Sequence, residues 1–235
     1  MIAAVEPVLL LPPSEGKAAG GEGRWTARSG AFASLAAHRR EVVAAYVDAL
    51  ERGAVPGVKG TMLERAQEGG RLLRRGRAPA LPAHERFTGV VWQHLGPADL
   101  PVDRIAVVSA LLGVCAGDDP TPDFRLKLSV SLAPVGRLDR FWRPHVSRAI
   151  ARWADGREIW SLLPQEHAVA VDLPGLVTVR FEGVSGHDAK AVKGSLARHV
   201  LLTGGHTRFR WQGWKATRDG TTVTVSRSGL GSRHG

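Results

Sequence analysis

The apolar run at residues 105–112 constrains the fold of this chain more than any other segment. Apart from Ser109 it contains only Ile, Ala, Val and Leu, with no alternation of polar and apolar positions. Such a run is typical of a strand that is covered on both faces, as in the centre of a sheet between layers of helices. A second apolar run, Val8–Leu11, ends at two prolines and predicts another buried strand near the start of the chain.

The remaining segments predict helices and further strands in mixed order. Apolar residues at helical spacing predict helices at residues 32–50, 61–75, 141–154 and 189–202. Further strands are predicted at residues 158–163, 168–172, 176–181, 208–215 and 221–226, with loops at residues 79–82 and 113–122, and residues 124–132 fit either a strand or a short helix. Because these elements follow no regular βαβ order, we predict the α+β class: one compact domain, residues 1–235, with a mixed sheet flanked by helices.

The composition is that of a globular protein with an excess of positive charge. Hydrophobic residues make up 43% of the 235 residues and charged residues 23%, which excludes a disordered chain and a collagen. Lys and Arg number 32 against 22 Asp and Glu, a net charge of +10, and only six of these cations are lysines. A positive net charge of this size suits a polyanionic partner, most simply nucleic acid. An arginine-rich composition without any such partner would produce the same net charge.

Cysteine content and hydropathy favour a cytoplasmic protein without a membrane anchor. The single cysteine, Cys115, excludes an intrachain disulfide and a cysteine-based zinc site, and a reducing compartment suits it. No apolar stretch approaches the ~20 residues of a membrane span. The nine histidines show no metal-ligand spacing, and we interpret Glu166 and His167 as an isolated structural pair. We predict no metal and no cofactor, with a bound nucleotide or phosphate as the alternative, and a monomer is favoured.

The loop directly after the first strand, Ser14-Glu15-Gly16-Lys17, is the first candidate site. A strand that leads into a loop with glycine, a hydroxyl and a lysine can present backbone N–H groups and one cation to a phosphate. The spacing is not that of a Walker A loop, so this segment also fits an ordinary surface turn.

A helical hairpin at about residues 32–75 is the second candidate. Its connection, Pro56-Gly57-Val58-Lys59-Gly60, is similar to a helix-hairpin-helix element, which offers backbone N–H groups to a DNA phosphate without reading sequence. Two residues rather than one separate the last two glycines, and an ordinary helical hairpin fits equally well. The second helix adds local positive charge through Arg71, Arg74, Arg75 and Arg77.

Two further segments combine cations with apolar residues. The segment Arg208-Phe209-Arg210-Trp211-Gln212-Gly213-Trp214-Lys215 suits stacking on nucleic acid, but its alternation favours an edge strand with both aromatic rings on one face. Arg125 and Lys127 lie two residues apart, and the predicted helix at residues 189–202 carries a basic face of Lys190, Lys193 and Arg198. Together with Lys17, these cations are candidates for one basic cleft.

Taken in order, these segments resemble the YaaA family of peroxide-stress proteins, in its actinobacterial-type branch. The resemblance spans about residues 8–215 and rests on several short stretches in order. They are Leu11-Pro12-Pro13-Ser14-Glu15-Gly16-Lys17, Gly57-Val58-Lys59-Gly60, Phe87-Thr88-Gly89-Val90-Val91-Trp92, Ser109-Ala110-Leu111-Leu112-Gly113-Val114, Phe124-Arg125-Leu126-Lys127, Phe141-Trp142, Leu163-Pro164-Gln165-Glu166-His167, the pair Lys190 and Lys193-Gly194, and Trp211-Gln212-Gly213-Trp214.

The resemblance implies an α+β domain with a basic cleft and a helix-hairpin-helix-like element. It also implies DNA binding and protection against hydrogen peroxide by limiting free iron. On this hypothesis, the residues that contact phosphate are Lys17, Lys59, Arg71, Arg74, Arg75, Arg125, Lys127, Lys190, Lys193 and Arg198.

An enzyme that acts on a phosphorylated small molecule or a nucleotide, as a specialised biosynthetic paralogue would, is the alternative hypothesis. Lys17, Arg125 and Lys190 would then hold the anion. Glu15 would be the acid or base and Ser14 a nucleophile or phosphate ligand. A third reading is a globular protein whose basic surface reflects composition alone.

Overall fold

The two apolar runs lie side by side in a large mixed sheet. The computed structural model describes residues 6–205 and 208–227. Its strands are β1 (Val8–Leu11), β2 (Gly23–Trp25), β3 (Ala78–Pro82), β4 (Ile105–Ser109), β5 (Gly113–Ala116), β6 (Pro120–Pro122), β7 (Ser131–Leu132), β8 (Gly136–Arg137), β9 (Ile159–Ser161), β10 (Val177–Phe181), β11 (Arg210–Trp211), β12 (Trp214–Asp219) and β13 (Thr222–Arg227). Strands β1 and β4 pair in parallel and are buried along their whole length, as their sequences predict.

Eight strands form the main sheet, in the order β11-β12-β13-β10-β9-β1-β4-β5. The five strands from β13 to β4 in this order pair in parallel, and β5, β12 and β11 are antiparallel to their neighbours. A second sheet, β2-β3-β6, and the pair β7-β8 are antiparallel. The predicted α+β class with a mixed sheet is therefore confirmed.

Helices pack around this sheet and against one another. The α-helices are α1 (Ala36–Glu51), α2 (Thr61–Arg74), α3 (Ala83–Arg86), α4 (Val90–Leu95), α5 (Leu138–Ala154), α6 (Gln165–Ala168) and α7 (Gly186–Thr203), and short 3₁₀ helices cover Ala33–Leu35, Pro97–Asp99 and Val102–Arg104. Helices α1 and α2 pack against each other, as do α4 and α7. Within the residues that the structure describes, no helix is long and apolar enough to span a membrane.

Several local predictions need correction. Residues 168–172 are not a strand, because turn hydrogen bonds such as Ala170 N–H to the His167 carbonyl (3.1 Å) close the backbone on itself after α6. The predicted loop at residues 79–82 lies within β3, since Ala80 and its neighbours pair with both β2 and β6 despite the two prolines. The predicted loop at residues 113–122 contains β5 and β6, and residues 124–132 are largely irregular, with β7 only at their end.

The strand order reverses beside β1, and this fixes where loops converge. From β1 the sheet continues to β4 on one side, and the later strands β9, β10 and β13 extend it on the other side. The carboxyl ends of β1 and β9 are level with each other, since Leu10 pairs with Ser161. In open sheets with parallel strands, ligands bind in the crevice outside the carboxyl ends at such a reversal. The loop with Ser14 to Lys17 therefore leaves β1 at the favoured place.

Candidate functional site

The loop after β1 is held in a fixed shape by its own hydrogen bonds and by the segment before α4. The Ser14 hydroxyl donates to the Gly16 carbonyl, and Lys17 Nζ donates to the Ser14 carbonyl at 3.0 Å. The Thr88 N–H donates to the Gly16 carbonyl at 3.1 Å. A Cβ atom at Gly89 would lie 2.6 Å from Ser14 Cβ, so glycine at this position lets the two segments meet. The loop is thus a tightly packed turn rather than an open one.

A buried arginine supports the chain immediately after this loop. Arg86 is fully buried and donates to the carbonyls of Ala18, Gly20 (2.7 Å) and Thr121 (3.0 Å). Its guanidinium therefore fixes the glycine-rich segment that follows Lys17. Nothing in the sequence pattern distinguishes Arg86 from the many exposed arginines.

Lys17 lies against two aromatic rings. Its Nζ is 5.0 Å from the centroid of the Phe124 ring and 5.9 Å from that of Phe87, within the range of cation–π attraction. Burial, together with the neighbouring charge of Arg125, lowers the pKa of Lys17 from 10.5 to about 8. The amine is therefore a cation at neutral pH that loses its proton unusually readily for a lysine.

The structure brings Arg125 and Lys127 to the same loop. Arg125 Nη1 donates to the Glu15 carbonyl, and Lys127 Nζ lies 3.7 Å from Glu15 Oε1. Buried Tyr46 on α1 fixes this segment, because its hydroxyl accepts from the Arg125 N–H at 3.0 Å and donates to the Arg125 carbonyl at 3.3 Å. Four of the predicted residues, Glu15, Lys17, Arg125 and Lys127, thus form one group, which we call the Lys17 cluster.

Lys190 and Lys193 lie near the carboxyl ends of β9 and β10. Lys193 Nζ is 5.6 Å from the centroid of the Phe181 ring at the end of β10. Burial, together with the charge of Lys190, lowers the pKa of Lys193 to about 8. Burial also lowers the pKa of His167, and the charge of Lys193 lowers it further against the opposing effect of Glu166. Lys193 therefore faces the loop that follows β9, beside a histidine that the sequence interpretation treats as structural.

Helix α4 connects the two groups of cations. It begins after Gly89, which touches Ser14, and it packs against α7 through Gly194, directly after Lys193. A Cβ atom at Gly194 would lie only 2.3 Å from the Val91 carbonyl oxygen. The short motifs around Gly89 and Gly194 are therefore packing sites that hold the basic loop and the basic helix at the same edge of the sheet.

Helices α1 and α2 pack against each other and are joined by residues 52–60, and we call this pair the helical hairpin. Val55 and Val58 are buried and anchor this connection, and Lys59 is exposed on it. Gly57 and Gly60 both adopt positive φ, 77° and 56°, which explains why glycine occurs at these two positions. The Gly60 N-cap supplies no side-chain hydrogen bond to the start of α2, and its carbonyl accepts from the Leu63 N–H at 2.9 Å, so the Thr61 and Met62 N–H groups at this exposed helix end remain for another acceptor.

Three of the arginines predicted to contact phosphate, two on the hairpin and one in the cleft, form ion pairs with neighbouring carboxylates. Arg71 pairs with Glu68 at 3.2 Å, and Arg74 pairs with Asp48 and with Glu51. Arg198 pairs with Asp99 at 3.0 Å and donates to the carbonyls at the end of α4. Arg75 is exposed at the end of α2, away from the connection that carries Lys59.

The aromatic segment near the chain end forms strands, but two rather than one. Gln212 and Gly213 form a turn between β11 and β12, with φ values of 45° and 80°. Phe209 and Trp214 are buried, and Trp211 is half-buried with its ring edge-on to His94 at 5.6 Å. Because these rings pack within the protein, the segment is unsuited to base stacking. Cys115 is also buried, and burial raises the pKa of its thiol to about 12.

Comparison with known proteins places the whole arrangement in one family. The profile of the family described as "Peroxide stress protein YaaA" matches residues 8–212. A UPF0246 protein of Streptomyces coelicolor is 29% identical over 225 residues, which cover 84% of each chain. A UPF0246 protein of Corynebacterium glutamicum is 30% identical over 214 residues, which cover 83% of this chain and 85% of its own. The chain therefore belongs to the YaaA family of peroxide stress proteins.

Proposed function

We propose that this protein binds DNA in the cytoplasm and contributes in this way to protection against hydrogen peroxide. The membership of the peroxide stress family supports the stress role. The net charge of +10 supports a polyanionic partner. DNA is the partner that the distribution of these charges favours, because the cations lie on several elements rather than around one enclosed pocket.

The observation that carries this proposal is the concentration of cations at the carboxyl edge of the sheet. Lys17, Arg125 and Lys127 adjoin the loop after β1, and Lys190 and Lys193 lie beside the ends of β9 and β10. Ammonium and guanidinium groups at this edge would neutralise backbone phosphates and release their counterions. The exposed connection with Lys59 offers a further phosphate contact through its N–H groups.

Binding of a labelled DNA duplex, followed by fluorescence anisotropy over a series of salt concentrations, tests the proposal. We expect wild-type affinity to fall steeply with salt, with a log–log slope of about −0.9 for each phosphate contact. The double variant Lys190→Gln/Lys193→Gln is expected to reduce the size of that slope by about 2. Its matched control, Arg148→Gln/Arg152→Gln, removes the same charge from exposed positions of α5 and should change the slope little. Absence of wild-type binding at low salt would contradict the proposal.

An enzyme acting on a small phosphorylated substrate is a second candidate, favoured by the environment of Lys17. The Lys17 amine lies between two aromatic rings, and its pKa is lowered to about 8. Duplex binding requires neither of these features. Preorganised cations of this kind stabilise charge that develops during a reaction. Glu15 is exposed and paired with Lys127, so its carboxylate is accessible to a substrate.

The variants Glu15→Gln and Lys17→Gln separate the two candidates. An enzyme predicts that turnover of a phosphorylated metabolite or nucleotide, found by screening a substrate panel with wild-type protein, is lost in both variants. DNA binding alone predicts that Lys17→Gln weakens duplex affinity a few-fold and Glu15→Gln leaves it unchanged or strengthens it, since a negative charge is removed. No turnover by wild-type protein of any substrate in the panel would count against the enzyme.

A further inference from the structure

A groove lies at the end of the helical hairpin opposite the connection with Lys59. Its volume is about 420 Å³. The side chains that line it include Trp25, Arg40, Val43, Leu73, Arg74 and Arg75. The lining residues come from β2 and the chain after it, from the first half of α1 and from the end of α2. The groove is thus built by three separate elements, and we call it the arginine groove.

The floor of the arginine groove is rigid and apolar. Trp25, Val43 and Leu73 are buried, at 2%, 5% and 3% exposure. They belong to the main hydrophobic core, and β2 is held in place by its pairing with β3. Because this floor is already packed, its side chains do not need to become ordered when a ligand binds.

The rim of the groove is strongly positive. Arg40, Arg74 and Arg75 line it, and its lining residues include no Asp or Glu. Arg74 is held by Asp48 and lies 3.9 Å from Glu51, so its charge is compensated. Arg40 and Arg75 are exposed, and neither forms an ion pair within the residues that the structure describes. These two guanidinium groups therefore remain available to an anion.

Three more arginines adjoin the lining residues along the chain. Arg24 within β2 and Arg28 after it flank the lining residues 25–27, and Arg77 follows Gly76. All three are exposed. Arg24 also lies opposite Pro79 in the pairing of β2 with β3, and Pro79 is only two residues after Arg77. The cationic surface is therefore broader than the groove itself.

We propose that the arginine groove binds the sugar–phosphate backbone of DNA, with Arg40 and Arg75 as the groups that contact phosphate. The planar guanidinium donates two parallel hydrogen bonds to a phosphate, which suits arginine better than lysine for this role. The open, exposed array of arginines matches a long polyanion rather than a small molecule enclosed in a pocket. This inference rests on the proposed DNA binding and adds to it a surface apart from the edge of the sheet.

The position of the groove fits a ligand that also reaches the hairpin connection. Arg40 precedes the end of α1 at Glu51 by three turns of helix, about 17 Å at 1.5 Å per residue. Phosphates on one DNA strand are about 3.4 Å apart along the axis, so about five nucleotides span this length. Five nucleotides carry one strand about half a turn round a duplex. A duplex segment of this length could therefore contact Lys59 at one end of the hairpin through one strand and the arginine groove at the other end through the opposite strand.

The salt dependence of duplex binding tests the groove with two variants and one control. In Arg40→Gln/Arg75→Gln both guanidinium groups are lost, and we expect the log–log slope to fall in size by about 2 with at least a tenfold loss of affinity at moderate salt. In Arg40→Lys/Arg75→Lys the charge is retained, and we expect an unchanged slope with affinity a few-fold weaker. Arg148→Gln/Arg152→Gln again serves as the control of equal charge.

The outcomes separate this inference from the function on which it rests. A wild-type slope in Arg40→Gln/Arg75→Gln, with the slope still reduced in Lys190→Gln/Lys193→Gln, overturns the groove and leaves DNA binding at the sheet edge intact. A reduced slope in Arg40→Gln/Arg75→Gln with a wild-type slope in Lys190→Gln/Lys193→Gln supports DNA binding at the groove and argues against DNA binding at the sheet edge. Equal losses in the groove variant and in the α5 control overturn the groove, because the effect then reflects total charge. The proposal that the groove binds DNA is also overturned if Arg40→Gln/Arg75→Gln weakens the binding of ATP but not that of duplex DNA.

Discussion

At the scale of single residues, the site depends on groups that hold the cations in place more than on the cations themselves. Tyr46 is the clearest of these, because its buried hydroxyl forms hydrogen bonds with both backbone groups of Arg125. Phe87 and Phe124 then form the surroundings of Lys17. The sequence identifies Lys17 and Arg125 as candidates, but nothing in it connects either of them with Tyr46.

Replacing Tyr46 with Phe should loosen the Lys17 cluster. The Arg125 N–H and carbonyl would both lose their partner, and an unsatisfied backbone group of this kind costs about 1–3 kcal/mol. We therefore expect the free energy of unfolding in urea to fall by about this amount, with faster hydrogen exchange of the Arg125 amide. Exchange of that amide at the wild-type rate would show that Tyr46 does not position the segment.

At the scale of secondary-structure elements, close helix packing explains two short motifs that look functional in the sequence. The Lys193-Gly194 pair combines a cation at the edge of the sheet with a glycine that lets α4 pack closely against α7, because it has no side chain. The stretch at Gly89 likewise combines the start of α4 with contact to Ser14. A motif of this family therefore contains packing residues as well as residues that face a ligand.

The variant Gly194→Ala should separate α4 from α7. Its Cβ atom would lie 2.3 Å from the Val91 carbonyl oxygen, so the two helices would have to shift, and overpacking of this kind costs about 1–3 kcal/mol. Gly69→Ala is the matched control, since a Cβ atom at this helical glycine meets nothing within 4 Å and should stabilise α2 by about 0.5–1 kcal/mol. Urea unfolding measures both changes, and equal effects of the two variants would contradict this account of Gly194.

A stacked pair of histidines makes the contact between α1 and α5 sensitive to acid. The ring centroids of His38 and His145 are 3.7 Å apart, and Phe141 packs against both rings. Burial lowers the pKa of His145, and the charges of His38 and Arg148 lower it further against the opposing effect of Glu41. The folded protein therefore resists the uptake of a proton at this contact.

Stability should consequently fall as the pH drops below 6.5. Above that value His145 is neutral in both states, whereas below it the unfolded chain takes up a proton that the folded chain binds less tightly. We expect this contribution to be small, because His145 is partly exposed and solvent screens its charge. Comparing urea unfolding at pH 7.5 and 5.5 for wild type and His145→Gln isolates it. An equal loss in both proteins would rule out the histidine pair as its source.

At the scale of the whole molecule, the sheet joins distant parts of the chain. Strand β1 lies between β4 and β9, so residues from the first tenth of the chain pair with residues from its second half. The sheet edge with Lys17, Lys190 and Lys193 exists only because of this arrangement. The candidate site and the core are therefore products of the same topology.

Unfolding should accordingly occur in a single step. Separating the first half of the chain from the second would expose the fully buried strand β1, so we predict one cooperative domain. Far-ultraviolet circular dichroism and the fluorescence of the seven tryptophans should give the same midpoint in urea. Two separate midpoints would contradict the prediction of one domain over residues 1–235.

The sequence by itself determined the elements whose burial follows from composition. An apolar run at residues 105–112 has no face that favours water, so it predicts a strand covered on both faces, and its first five residues form the fully buried β4. The helices at residues 32–50 and 61–75 followed for a similar reason, since their apolar residues recur on one face. Local signals failed at residues 79–82 and 168–172, where pairing with other strands or turn formation decided the outcome.

Only the tertiary structure decided which charges are available to a ligand. Arg74, Arg75 and Arg40 look alike in the sequence and are all exposed, but Asp48 and Glu51 of α1 pair with Arg74, whereas Arg75 and Arg40 form no ion pair within the described residues. Lys17 and Lys193 likewise differ from other lysines only because rings distant in the chain cover them. Coulomb energy and desolvation depend on distances in space, and residue order fixes those distances only through the fold.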